Sequence, residues 1–464
     1  MKLIFHIDVN SAFLSWTACG LLEEGGAGDS VSCADLTQEN TSDPTSGAAV
    51  DNAPASQNTA TDNAPATTLQ PTDIREIASV IGGSEKSRHG IVLAKSTLAK
   101  QYGIVTGEPL FQARRKCPGL VVVPPNYQLY VRKSDQLIRM LHEYTPQIQQ
   151  YSIDEAWMDM TGIQEAQADP VGFATRLKDR IHRELGFTVN IGISVNHLLA
   201  KMGSELQKPD RVHTLFPEEI PQKMWPLPVD ELFFVGKTTA AHLHKLGIHT
   251  IGELARTDPG LLEMHLKKHG RAIWKYANGG ELDAAVFERR SSKNKGYGNE
   301  TTLPDDVTDM ETACQVILSL CETVGARLRQ DNMKISVVGV HVKDNSFTER
   351  SRQTSLRTLT NSTNLIYEES RRLFRELWDG RPLRLIGVFT SKAEQSEYEQ
   401  LDLFQTARNE KQEKLDKAID QIRKKYGEDS VRRARFLDGE MKHMAGGLNK
   451  EKSRYRQRRE ENKG

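Results

Sequence analysis

The sequence predicts an α+β protein with several domains. Its 464 residues are enough for about three domains. In the first 215 residues short apolar runs alternate with amphipathic segments, and residues 216–287 have a helical pattern throughout. From residue 296 the order is strand, helix, strand, strand, helix, strand, which is typical of a split βαβ domain. We therefore expect a mixed sheet domain, a helical domain and a small sheet domain covered by helices.

Three acids follow or interrupt the first predicted strands. Asp8 stands at the end of the apolar strand 3–7, and the adjacent Asp154 and Glu155 lie inside the apolar segment 151–158. Ionised carboxylates in buried strands are costly unless a positive group lies against them, and oxygen ligands of this kind suit Mg²⁺. Neighbouring strand residues point to opposite faces, so Asp154 and Glu155 converge only if the strand bends there. Acids at strand ends are also frequent turn residues or caps, an alternative that applies above all to Asp8.

The remaining elements follow from periodicity and from start and stop signals. Asn196 is a predicted N-cap, and its helix carries an apolar stripe and ends before Pro209. The other predicted helices span 110–116, 129–143, 171–184, 310–329, 362–378 and 410–426, and the other predicted strands span 91–94, 120–123, 188–194, 296–302, 335–342, 351–356 and 383–390.

Residues 25–72 differ in composition from the rest of the chain. They contain acids but no Lys or Arg, they have few large apolar side chains, and DNAPA occurs twice, at 51–55 and 62–66. Such a segment cannot bury enough apolar surface to fold, so we expect a disordered acidic insertion that is dispensable. The formal net charge of the whole chain is zero, so charge alone does not indicate a nucleic-acid partner.

Cysteine usage and hydropathy predict the compartment. The chain has five cysteines and no CxxC pair, which favours reduced thiols in a cytosol. Asp8 and Asn10 interrupt the N-terminal apolar stretch too early for a signal peptide, and no run approaches the roughly 18 apolar residues of a membrane span. We expect a cytoplasmic protein without a membrane partner.

Several motifs in order resemble the Y-family translesion DNA polymerases, in particular the bacterial DNA polymerase IV-like branch. They include HIDVNSAF at residues 6–13 and SIDE at 152–155, and the resemblance runs to about residue 404 apart from the insertion. It implies a right-hand polymerase with a palm, fingers, a helical thumb and a βαββαβ little finger. The implied boundaries are palm 1–12 and 125–215, fingers 13–124, thumb 216–287, linker 288–295, little finger 296–393 and C-terminal tail 394–464.

The resemblance implies catalytic roles for the acids. Asp8, Asp154 and Glu155 would be catalytic and would bind two Mg²⁺ ions together with the carbonyl of Val9. Phe13 occupies the position of the family's steric gate, whose bulk fills the volume of a ribose 2′-hydroxyl. Taken alone, a Phe just after a buried strand would be expected to pack in the core.

Further motifs imply contacts with the nucleotide and with DNA. Thr97 and Lys100 stand where many members have Tyr and Arg that grip the triphosphate, and Lys208 matches a Lys with the same role. Lys does not reproduce the bidentate fork of Arg. Gly236 and Lys237 lie in a segment like a helix-hairpin-helix, whose backbone N–H groups bind a DNA phosphate. Its usual first Gly is Phe234 here.

Residues 400–404 (QLDLF) match the pentapeptide by which bacterial polymerases bind the sliding clamp. Leu403 and Phe404 would enter an apolar pocket, Leu401 belongs to the same motif, and Gln400 would fix its orientation. The same pentapeptide could simply begin the following helix. Beyond it, residues 450–464 form a basic tail, either solvated or adding nonspecific affinity for DNA.

The expected function is therefore a low-fidelity DNA polymerase. It would add dNTPs to the 3′-hydroxyl of a primer on primer–template DNA, tolerate damaged template bases, bind the sliding clamp and act as a monomer. One alternative is a non-catalytic, clamp-bound DNA-binding accessory of the same fold. Another is a nucleotide cyclase with this palm, for which the thumb, little finger and residues 400–404 would have no use.

Overall fold

The computed structural model describes residues 2–25, 73–83, 90–283, 295–395, 406–437 and 441–444. The described chain forms two compact units, one made of residues up to 283 and the other of residues from 295 onward. The regions predicted as palm, fingers and thumb lie in the first unit. The region predicted as little finger and the predicted helix 410–426 lie in the second.

A five-stranded sheet forms the centre of the first unit. Its strand order is β5-β6-β1-β7-β8, with β1 antiparallel to both β6 and β7. All six residues of β1 are buried. The strands of this unit are β1 (Ile4–Val9), β2 (Ser79–Gly82), β3 (Val92–Lys95), β4 (Val121–Val123), β5 (Ile148–Gln150), β6 (Glu155–Asp159), β7 (Val189–Ser194) and β8 (Val212–Thr214).

Helices cover this sheet and continue into a helical region. They are α1 (Ala12–Gly25), α2 (Thr97–Gln101), α3 (Leu110–Lys116), α4 (Tyr127–His142), α5 (Gln164–Ala168), α6 (Pro170–Leu185), α7 (His197–Glu205), α8 (Ile220–Lys223), α9 (Lys237–Lys245), α10 (Ile251–Arg256), α11 (Pro259–Leu266) and α12 (Lys268–Ala277). Among the described residues 217–283 there is no strand, as the sequence predicts. Helix α3 has the predicted bounds, and Asn196 caps α7 by accepting a hydrogen bond from the Leu199 N–H at 2.8 Å.

The two faces of β1 have different roles. Phe5, Ile7 and Val9 belong to the apolar core of the sheet. The other face carries His6 and Asp8, and α7 packs close to it because Gly192 allows the approach. A Cβ on Gly192 would lie 1.9 Å from the Ala200 carbonyl oxygen. This contact brings the polar residues of α7 over the acidic face of β1.

A smaller sheet of order β3-β2-β4 carries α2 and α3. Strand β2 pairs antiparallel with β3 and parallel with β4. Val80, Val92 and Leu110 are buried in the core of this part of the chain. The sequence predicted β3 and β4 but not the four-residue strand β2, which lies next to the acidic insertion.

Segments on the two sides of the insertion contact one carbonyl. The Cys19 thiol lies 3.3 Å from the Gly186 carbonyl oxygen, and Arg75 Nη1 donates to the same oxygen at 2.8 Å. A short linker is therefore long enough to replace residues 26–72.

Because a shorter loop costs less closure entropy, we expect the thermal midpoint of the variant with this linker to equal or slightly exceed that of the full chain. A drop of more than about 5 °C in scanning calorimetry would show that the insertion stabilises the fold.

The second unit has the predicted βαββαβ order. Its antiparallel sheet has the order β11-β10-β12-β9, and two helices pack on it. The elements are β9 (Gly298–Val307), α13 (Met310–Gln330), β10 (Lys334–Asp344), β11 (Glu349–Thr360), α14 (Thr363–Leu377) and β12 (Leu383–Glu394).

Residues after the sheet extend this unit. Helix α15 (Thr406–Tyr426) covers the predicted helix 410–426, and short 3₁₀ turns follow at Glu428–Ser430 and Ala434–Phe436. Phe436 is buried, and Met441 packs in the core formed by the sheet and its helices. This part of the predicted tail is thus an integral part of the second unit. No helix in the described part of the chain is long and apolar enough to cross a membrane.

Candidate active site

Two of the three predicted acids lie side by side on neighbouring strands. Asp8 of β1 and Glu155 of β6 are direct partners in the antiparallel ladder. Opposed residues in such a ladder share a face, with Cβ atoms about 5 Å apart. Asp8 is almost fully buried and Glu155 is half-buried. The sheet therefore presents two carboxylates at one point of its polar face.

Asp154 lies in a bend that precedes β6. Residues 152–154 form the bend, which the sequence predicted as the condition for convergence of Asp154 and Glu155. The Ser152 hydroxyl donates to Asp154 Oδ1 at 2.5 Å, and the Val9 N–H donates to the Asp154 carbonyl oxygen at 3.1 Å. The second bond fixes the backbone of the bend against the end of β1.

Lys208 provides the positive partner of Asp8. Its ammonium donates to Asp8 Oδ2 at 3.0 Å and lies 2.9 Å from Glu205 Oε2. Burial raises the pKa of Asp8 to about 7, although Lys208 partly offsets this effect. The structure thus places one of the predicted nucleotide-binding residues at the predicted catalytic acid.

Lys201 and His6 hold Glu155, and neither was among the predicted site residues. The Lys201 ammonium donates to Glu155 Oε2 at 2.8 Å, and His6 Nε2 lies 3.4 Å from the same oxygen. Burial opposes the charged form of Glu155, but His6 and Lys201 outweigh it and lower the pKa of this carboxyl to about 2. Burial lowers the pKa of His6 to about 4, so its ring is neutral at pH 7. His6 Nδ1 is 2.8 Å from the Ser204 hydroxyl, which orients the ring.

The sequence did contain a signal for Lys201. It interrupts the apolar stripe of α7, and its side chain is only 7% exposed. Lysines are almost never buried without a charged partner, so a Lys on such a stripe indicates a carboxylate nearby. The aromatic ring of Phe233 lies under its ammonium, 5.2 Å from the ring centroid. Lys201 therefore links Glu155 to the helical region.

The donor chemistry of this site fits a hard cation. Carboxylate oxygens are the ligands that Mg²⁺ prefers. Among the described residues, no three His, Cys, Asp or Glu side chains are arranged as they would be around a metal ion. Asp8 and Glu155 instead have an ammonium group each. Asp8 is thus buried and Glu155 half-buried, and each is paired with a lysine on a long, flexible side chain.

Phe13 stands at the start of α1 beside an aromatic cluster. Its ring is half-buried and stacks on Tyr130, with centroids 4.5 Å apart and planes at 12°. The Thr17 hydroxyl lies 3.0 Å from the Tyr130 hydroxyl and 2.7 Å from the Phe13 carbonyl oxygen. Tyr127 packs edge-on against the Phe13 ring. Stacking on Tyr130 fixes the ring position of Phe13. Tyr130 is a residue of this site that the sequence did not reveal.

The other predicted contact residues lie on the surface. Thr97 and Lys100 are exposed on α2, whose N-cap is Ser96, and the structure gives neither of them a hydrogen bond or ion pair with the three acids. Gly236 caps α9, and Lys237 begins it, with both exposed. Residues 400–404 of the predicted clamp motif and the basic tail 450–464 lie outside the described residues.

Phe234, which stands where the resemblance has Gly, has a backbone conformation that Gly adopts readily. Its φ is +72°, in the left-handed region that favours Gly. That conformation costs a residue with a Cβ about 1–2 kcal/mol. Ring contacts with Phe233 at 4.4 Å and Tyr276 at 5.9 Å offset the strain. The turn before α9 is thus retained despite the change of residue.

Comparison with family models identifies the chain. The model described as the impB/mucB/samB family matches residues 63–205, its C-terminal domain matches 294–403, and the HHH motif of the same family matches 217–248. A protein named DNA polymerase IV from Clostridium acetobutylicum is 42% identical over 441 residues, covering 95% of this chain and all of that protein. The chain belongs to the impB/mucB/samB family. The resemblance predicted from the motifs is thereby confirmed.

Other members of the impB/mucB/samB family extend the comparison. A DNA polymerase IV of Moorella thermoacetica is 39% identical over 363 residues, covering 78% of this chain and 90% of that protein. DNA polymerase IV 1 of Bacillus subtilis is 35% identical over 368 residues, covering 79% and 88%. A solved chimeric Y-family DNA polymerase has the same fold, with a TM-score of 0.62 at 19% identity over 84% of this chain and 98% of that one.

Proposed function

We propose that this chain is a template-directed DNA polymerase of low fidelity that adds dNTPs to a primer 3′-hydroxyl and copies damaged template bases. One observation carries the proposal: Asp8 and Glu155 are paired on adjacent strands, with Asp154 in the bend beside them. This arrangement lies in a chain whose relatives are named DNA polymerase IV. The account assigns the catalytic role to these three acids.

Asp8, Asp154, Glu155 and the carbonyl of Val9 would hold two Mg²⁺ ions. When bound, such ions stabilise the attacking and leaving oxygens of an in-line phosphoryl displacement. Lys208 is 36% exposed and sits on a flexible stem, so it is free to leave Asp8 and pair with a triphosphate oxygen. Thr97 and Lys100 would contact the same triphosphate from α2.

The partners follow from the same assignment. Primer–template DNA and a dNTP are the substrates, and Gly236 and Lys237 would contact a DNA phosphate at the start of α9. Residues 400–404 would bind the sliding clamp. We assign a monomer to the free protein.

The non-catalytic accessory is the weaker alternative. A scaffold has no physical need for buried acids, and Asp8 is held at a pKa of about 7 at a cost in stability. Primer extension on an undamaged template and on one with an abasic site, with Mg²⁺ and dNTPs, tests the proposal. We expect extension of both primers. A folded, DNA-binding protein that extends neither would support the accessory.

Replacing Phe13 by Ala tests the proposed gate. Removing the ring opens the volume that a 2′-hydroxyl needs, so we expect use of rNTPs relative to dNTPs to rise by at least about tenfold. The measurement is single-nucleotide insertion with each substrate. Phe111→Ala is the matched control, because Phe111 is 57% exposed on α3. An unchanged ratio in Phe13→Ala would assign Phe13 to the core instead.

A further inference from the structure

Helix α15 packs against α13 within the second unit through charged side chains. Asp416 and Asp420 lie 3.4 Å and 2.5 Å from the guanidinium of Arg329, which is only 6% exposed on α13. Arg423 lies 2.6 Å from Glu322, another buried residue of α13. Ion pairs therefore orient this helix.

A neighbouring face of α15, about 100° around the helix from Asp416, is apolar and exposed. Leu415, Ile422 and Tyr426 are 52%, 40% and 67% exposed, and Ala418 is exposed as well. Their spacing of three, four and four residues places them on one stripe of the helix. A surface helix normally buries its apolar stripe and exposes its charges. Helix α15 leaves this apolar stripe exposed, which indicates that the stripe serves a partner.

The exposed charges of α15 have one sign. Between residues 411 and 426 every exposed charged side chain of α15 is a lysine, whereas its acids turn towards the second unit. The lysines are Lys411, Lys414, Lys417, Lys424 and Lys425. A complementary surface is an apolar groove with carboxylates on its rim.

We propose that this exposed face of α15, the α15 stripe, docks in an apolar, acid-rimmed groove of the sliding clamp as a second contact beside residues 400–404. The inference rests on the proposed clamp binding. One residue separates Phe404 from the start of α15, so a protein that holds the pentapeptide is within reach of the stripe. The C-terminal family model ends at residue 403, and α15 lies beyond it.

Other occupants fit the surface less well. Two copies of the α15 stripe would bring like charges together, which disfavours a homodimer. DNA phosphates would pair with the lysines but would leave Leu415 and Ile422 in water. An apolar protein groove with an acidic rim would cover the apolar side chains and also pair with the lysines.

The test compares binding of the full chain to the clamp of the same genome by isothermal titration calorimetry. The variant Leu415→Ala with Ile422→Ala should bind about tenfold more weakly, because two apolar anchors are lost. Met264→Ala is the matched control, since Met264 is 77% exposed in the helical region of the first unit. Ala is a better helix former than either residue, so the circular dichroism of the double variant should equal that of the wild type.

Further variants distinguish failure of the α15 inference from failure of the proposed clamp binding. Lys411→Glu with Lys425→Glu should weaken clamp binding and reduce its dependence on salt, because these exposed lysines lie four residues before Leu415 and three after Ile422. If Phe404→Ala abolishes binding and the Leu415/Ile422 variant binds like the wild type, the α15 inference is wrong and clamp binding stands. If Phe404→Ala has no effect, the proposed role of residues 400–404 is wrong, and if the wild type does not bind the clamp, the proposed clamp binding itself is wrong. Loss of duplex-DNA binding or of self-association in the Leu415/Ile422 variant, with clamp binding intact, would assign the stripe to DNA or to a second copy.

Discussion

Replacing Asp8 by Asn is expected to lower primer extension by roughly a thousandfold or more while making the metal-free protein more stable at pH 8. Asn has nearly the same shape but carries no charge, so it removes a metal ligand and leaves the packing intact. Asp8 is almost fully buried between Glu155 and Asn190, its partners on the two adjacent strands. Loss of activity and gain of stability should therefore come from one substitution.

The pH dependence of this gain in stability follows from the pKa of Asp8. The folded value is about 7, against an ordinary value of 3.8. Between these values the folded protein keeps a proton that the unfolded chain has lost, so this group lowers stability as the pH rises. Below the lower value Asp8 is protonated in both states and contributes no difference. The stability of Asp8→Asn should thus exceed that of the wild type at pH 8 and approach it near pH 4.

Scanning calorimetry in EDTA across this pH range measures the effect. Asp159→Asn is a suitable control because Asp159 lies on β6 but serves a turn, accepting a hydrogen bond from the Thr161 N–H at 2.9 Å. A midpoint for Asp8→Asn below that of the wild type at pH 8 would mean that Lys208 stabilises Asp8 by more than its burial costs.

Replacing Lys201 by Met is expected to destabilise the fold by about 3–5 kcal/mol, the usual cost of removing one partner from a buried ion pair. The ammonium is 7% exposed and lies 2.8 Å from Glu155. Without it, Glu155 would face only the neutral ring of His6. Adding Glu155→Gln to Lys201→Met removes the unpaired charge, so the double variant should recover part of the loss.

Urea unfolding of the two single variants and the double variant gives the coupling energy of the pair. Lys223→Met is the control, since Lys223 pairs with Glu219, four residues earlier in the chain, and is 37% exposed. Such exposed pairs contribute less than about 1 kcal/mol. Equal losses for Lys201→Met and Lys223→Met would show that Lys201 does not stabilise Glu155.

Much of this site could be predicted because its signals are local. The apolar strands with acids, the need for a bend at Asp154 and Glu155, and the N-cap Asn196 are features of a few consecutive residues. The structure confirms the bend and the cap. It also brings Lys208 to Asp8, a contact between residues 200 positions apart that was not predicted, since the resemblance implied only a triphosphate contact for Lys208.

The features that were missed depend on contacts between distant segments. Lys201 and His6 meet Glu155 only because Gly192 lets α7 approach the sheet. Strand β2 is four residues long and gains its identity from pairing with β3 and β4. The mixed charges of α15 predicted a helix, but they did not reveal which charges would pair with α13.

The most direct test of the account is the rate of single-nucleotide insertion as a function of Mg²⁺ concentration for wild type, Asp154→Ala and Asp159→Ala. Both substitutions remove an Asp from the same short segment, but only Asp154 is assigned to the metal site. We expect Mg²⁺-dependent insertion by wild type and Asp159→Ala and loss of insertion by folded Asp154→Ala. Insertion by Asp154→Ala at the wild-type rate and with the same Mg²⁺ dependence would contradict it.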